Sequence, residues 1–515
     1  MKKTYITSPL YYVNAAPHIG HAYTQIVCDS IKRFRRQCGE EVFFMTGTDE
    51  HGEKIEKASM EAGFKKGEEK KFVDTIVPHF KKLWDRLNIK YDRFIRTTDS
   101  MHEEAVKKVL STLQEKGKIY KKLYKGWFCT PCEMFWSNVH APEGICPDCK
   151  SNLEKLDEEN YFFKISEYQE ILIKYIKSRA FILPEIRKNE VLSFLENNQL
   201  QDLCISRPKT RLSWGIELPF DKNFVTYVWF DALINYISGI GYLDNKKQFK
   251  SLWPNAIHVI GKDILRHHAI YWPIILLAID EKPPQHVFTH GWWMMEGEKM
   301  SKSKGNIVDP LKVIDKYGVD AFRHYLLSAV PFGYDGTFSE RLFIERYNND
   351  LANDLGNLLN RTLTMLEKYF NGVVPKAESP CDKVIKETIR DIPGKAGDAL
   401  VHFNSSAALK EIWKLVNKAN KHIEDKAPWK LAKENKAALS AVMYELIQAI
   451  GIIAVSLYSF MPETACRMWN QLGMTSDITA ISLSESETKE RFWGLVPPGT
   501  KTAKGKPLFP RILTK

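Results

Sequence analysis

The sequence predicts an α/β chain whose body is an open parallel sheet, split by a cysteine-rich insertion and followed by an all-helical bundle. Three observations carry that prediction. Short apolar runs give way to a polar turn at residues 5–18, 41–52 and 256–263, and helical periodicity follows the first and the last of them. Two CxxC pairs interrupt the alternation between residues 129 and 149. From about Leu342 to about Gly473 the spacing is helical with no strand signal.

Composition sets the bounds. A chain of 515 residues, 44% hydrophobic and 27% charged, has room for about two to four domains and lacks the bias of a disordered segment. Its net charge of +11 suits a polyanionic partner, although many basic proteins bind no nucleic acid. Of nine cysteines, Cys28, Cys38, Cys204, Cys381 and Cys466 stand apart from the two pairs, which points to a metal plus reduced thiols rather than a disulfide framework. The opening MKKTYITSPLYYV enters a strand at once, leaving no room there for a signal or transit peptide. Apolar runs such as Ala449–Phe460 are too short to span a bilayer, so a cytoplasmic protein without a membrane partner is expected.

Taken in order, Tyr5–Ser8 reads as a short strand, and Ile26, Val27, Ile31 and Phe34 recur at helical spacing after Pro17. His18 and His21 therefore fall on the first turn of a helix, where backbone N–H groups and the dipole favour phosphate. Two imidazoles there can stabilise charge on a phosphoryl group, though a bare HxxH is more often merely solvated. EVFFMTGTDEHG passes from strand to polar turn and leaves Asp49 and His51 at the strand end. Asp49 is suited to an ammonium group, against the bland alternative of a carboxylate satisfying a turn. Glu53–Lys118 reads as charged amphipathic helices. Cys129, Cys132, Cys146 and Cys149 then offer four thiolates from two turns, enough for a closed tetrahedral zinc site of structural type.

Beyond the cysteines, Arg207 and Lys209 lie in a polar turn of CISRPKTRLSWGIELP. Trp229, Ala232, Leu233 and Tyr236 mark one helical face, as do Ile264, His268 and Trp272; by spacing alone both are core faces. Between them Gly261 permits a close backbone approach, and Asp263 can accept from a ribose hydroxyl. Strand HVFTHGWW leads into GEKMSKSKGN, where Lys299, Lys302 and Lys304 offer positive charge and Ser301 and Ser303 offer hydroxyls between Gly297 and Gly305. Both polar loops can thus meet at one sheet edge. In the helical part Asn357 and Arg361 share a face, and Trp429 follows a proline near a helix start.

HIGH at 18–21 and KMSKS at 299–303, in that order, make the chain resemble the class I aminoacyl-tRNA synthetases, and the segments around residues 129–149, 227–239 and 257–272 narrow the resemblance to the methionyl-tRNA synthetase family over essentially the whole length. It implies a Rossmann-type catalytic domain in two halves, 1–116 and 223–296, split by a connective insertion with the zinc knuckle at 117–222. A KMSKS loop and linking region at 297–341 would follow, then an α-helical anticodon-binding domain at 342–473 and a tail at 474–515 packing back across the catalytic body.

The activity implied is methionine–tRNA ligation by way of methionyl-adenylate, with His18, His21, Lys299, Lys302 and Arg207 as the catalytic set. Methionine would lie among Pro9, Leu10, Tyr12, Asp49, Trp229, Ala232, Leu233, Tyr236, Ile264, His268 and Trp272, with Tyr12 or His268 donating to the thioether. Pro9 and Leu233 depart from residues found in some relatives. ATP would meet His18, Gly20, His21, Gly261, Asp263, Lys299, Ser301 and Lys302, and the anticodon Asn357, Arg361 and Trp429. One structural zinc, Mg²⁺ with ATP, initiator and elongator tRNA(Met) as partners, and a monomer complete the expectation. The rivals are a class I synthetase for another amino acid, a nucleotidyltransferase sharing the histidine loop, and a catalytically silent tRNA-binding relative.

Overall fold

The computed structural model describes residues 2–130, 143–147, 150–295, 308–484 and 492–513, and the strand backbone of 134–136 and 298–299. Its centre is a parallel sheet built from β1 (Lys3–Tyr12), β2 (Glu41–Asp49), β3 (Arg93–Arg96) and three later strands, Ala256–Gly261, His286–His290 and Ile182–Leu183. Side by side they run 93–96, 41–49, 3–12, 256–261, 286–290, 182–183. The chain thus builds outward from β1 to one edge, then begins again on β1's other side. The C-terminal end of β1 is the switch point of the sheet, where the crossovers diverge and leave a crevice.

Pro9 sets the shape of that point. It has no N–H to give a ladder, yet it lies in a central strand. The register against β2 shifts between Thr7 and Leu10 and then resumes, Leu10 opposite Gly47 and Tyr12 opposite Asp49. Pairing with Ala256–Gly261 covers Tyr5, Ile6 and Thr7. So β1 bulges at Pro9 and runs on to Tyr12, longer than the strand at 5–8 read from sequence, and its last residues lie beyond the pairing with Ala256–Gly261.

Helix α1 (Ile19–Gln37) packs its buried face on the sheet and is followed by α2 (Glu53–Glu61), α3 (Glu69–Arg86) and α4 (Ser100–Glu115). β3 was not legible among these helices, because four residues of mixed polarity give no periodicity to read. In the insertion, β4 (Ile119–Cys129) pairs antiparallel with Glu154–Phe163 from Ile119↔Phe163 to Phe128↔Glu154, which carries Cys129 to the far end of a long hairpin. Ile182–Leu183 then returns to the main sheet beside His286–His290, so the segment 117–222 contributes a strand to the body it interrupts.

The helical part contains Asn357–Phe370, Lys383–Val401, Ser405–Lys426, Lys436–Leu457 and Pro462–Gln471. Lys436–Leu457 corrects the sequence reading of its apolar run. At 22 residues it is long and apolar enough by composition to cross a membrane, but it is almost wholly buried among its neighbours and forms the core helix of the bundle. The tail is bonded along the bundle, through Val496 to Gln448, Thr500 to Val374, Thr502 to Gly372 and Ile512 to Asn348. Leu483 reaches the catalytic body, donating 2.8 Å to the carbonyl of Gln37 at the end of α1.

Candidate active site

His18 is the N-cap of α1. Its Nδ1 accepts from the Gly20 amide at 3.1 Å, while the His18 amide donates to His21 Nδ1 at 3.2 Å, a capping box made of two histidines. The rings stack at 3.9 Å between centroids. With both Nδ1 atoms accepting, each neutral ring carries its proton on Nε2, which leaves the backbone turn with the donor N–H on the far edge of the imidazole. Gly20 keeps this packing unstrained, since a Cβ there would lie 3.0 Å from His18 Cε1 and the ring would have to give by a few tenths of an ångström. Thr24, one turn on, lies 2.8 Å from Nε2 of His290, whose other nitrogen donates to the Gly291 carbonyl, so the last residue of its strand holds the helix start in place.

At the end of β2 the three polar residues have separate fates. Glu50 is buried and takes a bidentate pair from Arg96 at 2.7 and 2.9 Å, with Thr48 and Thr98 hydroxyls on the same carboxylate. His51 Nδ1 lies 2.7 Å from Asp231, whose second oxygen meets His102 Nε2 at 2.7 Å. Burial opposes ionisation of Asp231, but His51 and His102 more than offset it and hold the carboxyl below its usual range. His51, noticed in the sequence at the strand end, is thereby a positioning group. Asp49 is buried opposite Tyr12 in the sheet register, at the mouth of the crevice.

Most of the expected amino-acid pocket assembles here. Tyr12 meets Trp229 edge-on at 6.4 Å, Tyr236 lies 5.9 Å from Trp272, and Pro9, Ala232 and Leu233 are buried, with Leu10 and Ile264 half-buried. The strand Ala256–Gly261 runs into a π-helical segment, His267–Tyr271, and then Trp272–Ala278. A wide turn of this kind often marks a site, and it breaks the regular spacing assumed for residues 264, 268 and 272. His268 Nδ1 donates 2.9 Å to the Ile264 carbonyl, and its Nε2 accepts the Tyr236 hydroxyl at 2.7 Å. Burial pushes the His268 pKa down to about 4, so the ring is neutral and carries one N–H. That N–H is held by Ile264, and His268 therefore has none for a thioether, which corrects its expected donor role.

Sequence reading missed the layer beneath. His258 accepts from Trp272 Nε1 at 3.0 Å and donates to Thr7 at 2.7 Å, while Tyr5 donates to the Tyr236 carbonyl at 2.9 Å. These are strand residues whose partners are more than ten residues away, so no local signal pointed to them.

On the nucleotide side, Asp263 is exposed and accepts from Trp292 Nε1 at 3.3 Å. Gly261 stands close by: a Cβ there would meet Asp263 Oδ1 at 2.6 Å. Trp293–Met295 pairs antiparallel with the backbone of Glu298–Lys299. Ser301, Lys302 and the side chain of Lys299 lie outside the described residues.

Arg207 differs from its expected polar turn. It is 3% exposed on the strand Ser206–Pro208, its guanidinium lying over Phe128 and Tyr227 at 5.0 and 4.7 Å. Cys129 and Cys146 are fully buried in one cluster with Leu153; Cys132 and Cys149 lie outside the described residues. Among the described residues no three His, Cys, Asp or Glu side chains are grouped to hold a metal. In the bundle Asn357 is exposed, Arg361 pairs with Glu424 at 3.6 Å, and Trp429 is 45% exposed rather than core.

The comparisons agree with this geometry. A model of "tRNA synthetases class I (M)" matches residues 4–158 and 152–363. The methionine–tRNA ligase of Caldanaerobacter subterraneus subsp. tengcongensis is 47% identical over 99% of this chain and 79% of its own length, and that of Thermotoga maritima 42% over 100% and 81%. Mycobacterium tuberculosis methionyl-tRNA synthetase in complex with methionyl-adenylate superposes with a TM-score of 0.92 at 36% identity, covering 99% of this chain and all of the other. The chain therefore belongs to the methionyl-tRNA synthetase family of class I aminoacyl-tRNA synthetases.

Proposed function

We propose that the chain activates L-methionine with ATP to methionyl-adenylate and pyrophosphate, and then transfers methionine to the 3′ end of tRNA(Met), initiator and elongator. The observation that carries this reading is the meeting, at the switch point of a parallel sheet, of a helix start capped by His18 and His21 with an aromatic pocket opening beside Asp49. In the first step a methionine carboxylate oxygen bonds to the α-phosphorus and pyrophosphate leaves with its electron pair. The carboxylate is already a nucleophile, so positioning and charge stabilisation supply the acceleration.

Asp49 takes the ammonium group, which aims the carboxylate. The Nε2–H donors of His18 and His21, fixed by the capping box, face the phosphates. Gly261 admits the nucleotide backbone-close, and Asp263 accepts from its ribose. Lys299, Ser301 and Lys302 would bind the β- and γ-phosphates of ATP and the departing pyrophosphate, and Mg²⁺ bound with ATP would offset part of their charge. For the tRNA, an exposed Trp429 suits stacking on an unpaired base, with Asn357 and Arg361 reading base edges beside it.

One zinc would be held by Cys129, Cys132, Cys146 and Cys149 and would cross-link the tip of the insertion. The fit is supported by the burial of Cys129 and Cys146 in one cluster, and by the tight turn in which Lys150 donates to the Cys146 carbonyl at 2.9 Å. A cytoplasmic monomer completes the proposal. Amino-acid-dependent ATP–pyrophosphate exchange with each standard amino acid tests it: exchange with methionine alone is expected. Exchange with another amino acid would keep the mechanism and overturn the pocket, and none at all would favour a silent tRNA-binding relative.

A further inference from the structure

Adjacent histidines on the π-helical segment differ in their bonding. Both nitrogens of His268 are engaged within the fold. His267 is 5% exposed, and among the described residues neither of its ring nitrogens has a hydrogen-bond partner. The ring stacks on Trp229 at 3.9 Å and 26° and meets Tyr271 edge-on at 5.4 Å. It therefore belongs to the aromatic wall that Trp229 shares with Tyr12. A neutral imidazole carries one donor and one acceptor, and buried polar groups are nearly always bonded. A phenyl ring would supply the same stacking and leave nothing unbonded, so stacking alone gives no reason for an imidazole at this place.

We propose that His267 is a specificity-determining residue of the amino-acid pocket, its ring N–H donating to the side-chain heteroatom of the ligand, the thioether sulfur of methionine. The inference rests on reading this pocket as methionine's, and it moves the donor role expected of His268 one residue along the chain. Burial lowers the His267 pKa to about 3, so the ring keeps its single N–H across the neutral range. The pocket thus distinguishes a thioether from a methylene in a chain of equal length.

The test is ATP–pyrophosphate exchange by the full chain with methionine and with norleucine, comparing the parent with His267→Phe, which keeps a stacking ring and removes both nitrogens. The ratio of kcat/KM for methionine over norleucine is expected to fall by about threefold to tenfold in the variant, the range of one neutral hydrogen bond. The melting temperature without amino acid is expected to be equal to the parent's or higher, because the unbonded nitrogens are gone. An unchanged ratio overturns the assignment, and a lowered melting temperature with an unchanged ratio identifies a merely structural ring. If His267→Phe fails to fold, His267→Gln and His267→Leu carry the same comparison: a ratio kept by Gln and lost in Leu supports the donor, and equal ratios overturn it. Failure of the parent to exchange with methionine fells the pocket reading and this inference together, whereas exchange with an unchanged ratio fells this inference alone.

Discussion

Asp29 and Arg323 form an ion pair at 2.7 Å with both side chains fully buried, joining the helix that begins at the two site histidines to the helix Val319–Ser328. Arg33 binds the same Asp29 oxygen at 2.8 Å. Arg323 also donates to the carbonyls of Leu87 and, in the turn just beyond the bundle's core helix, Phe460. Three parts of the chain, the sheet layer, the linking helix and the bundle, therefore share one buried charge cluster.

Breaking that cluster by Arg323→Met leaves carbonyls and a carboxylate buried with fewer partners, and is expected to cost about 3 kcal/mol or more of stability, read by denaturant unfolding. The pH dependence follows from the direction of the Asp29 shift. Burial alone would raise its pKa, but Arg33 and Arg323 more than offset it and hold the carboxyl below 3.8. The contribution of Asp29 is then complete above the usual carboxylate range and is lost as pH falls through its lowered folded pKa.

Asp320, in the same linking helix, titrates the other way. Burial raises its pKa to about 6, against an accepted hydrogen bond from the Thr464 amide at 2.6 Å. The folded state then binds its proton more tightly than the unfolded state, so stability from this group is present below about pH 4 and is lost as pH rises toward 6. Asp320→Asn is expected to gain stability relative to the parent by about 1.4 kcal/mol between pH 5 and pH 8, measured as the change in the gap between their unfolding free energies.

Gly20→Ala tests the capping box. The added Cβ would press on the His18 ring, which must give by a few tenths of an ångström, short of the 1 Å misplacement that costs roughly a hundredfold. The exchange rate is expected to fall by about threefold to tenfold, well short of that factor, with methionine affinity by equilibrium binding moving less.

Trp429→Ala should lower kcat/KM for aminoacylation of tRNA(Met) by about tenfold relative to the exchange reaction, the usual worth of one stacked base. Equal losses in both assays would make Trp429 a structural residue instead.

Metal analysis of the purified chain should find about one zinc per chain by the ligand count. Cys146→Ser is expected to lower that content and to loosen the hairpin tip to proteolysis.

Local chemistry alone determined much of this protein. The pairs of histidines and cysteines, the strand-to-turn switch at Asp49 and the helical periodicity after Leu342 are contiguous signals, and each depends on residues only a few places apart. The tertiary structure decided what depends on distant partners. His51 is claimed by Asp231, 180 residues along the chain, His268 by Tyr236, and Arg207 by the rings that enclose it. Spacing could not show the bulge at Pro9 or the π-helical segment that brings His267 against Trp229, because hydrogen-bond competition in the folded core settles where each polar group goes. The sequence by itself determined which chemistry the chain carries; packing decided which side chains remain to perform it, since a buried donor engaged by one partner cannot serve another.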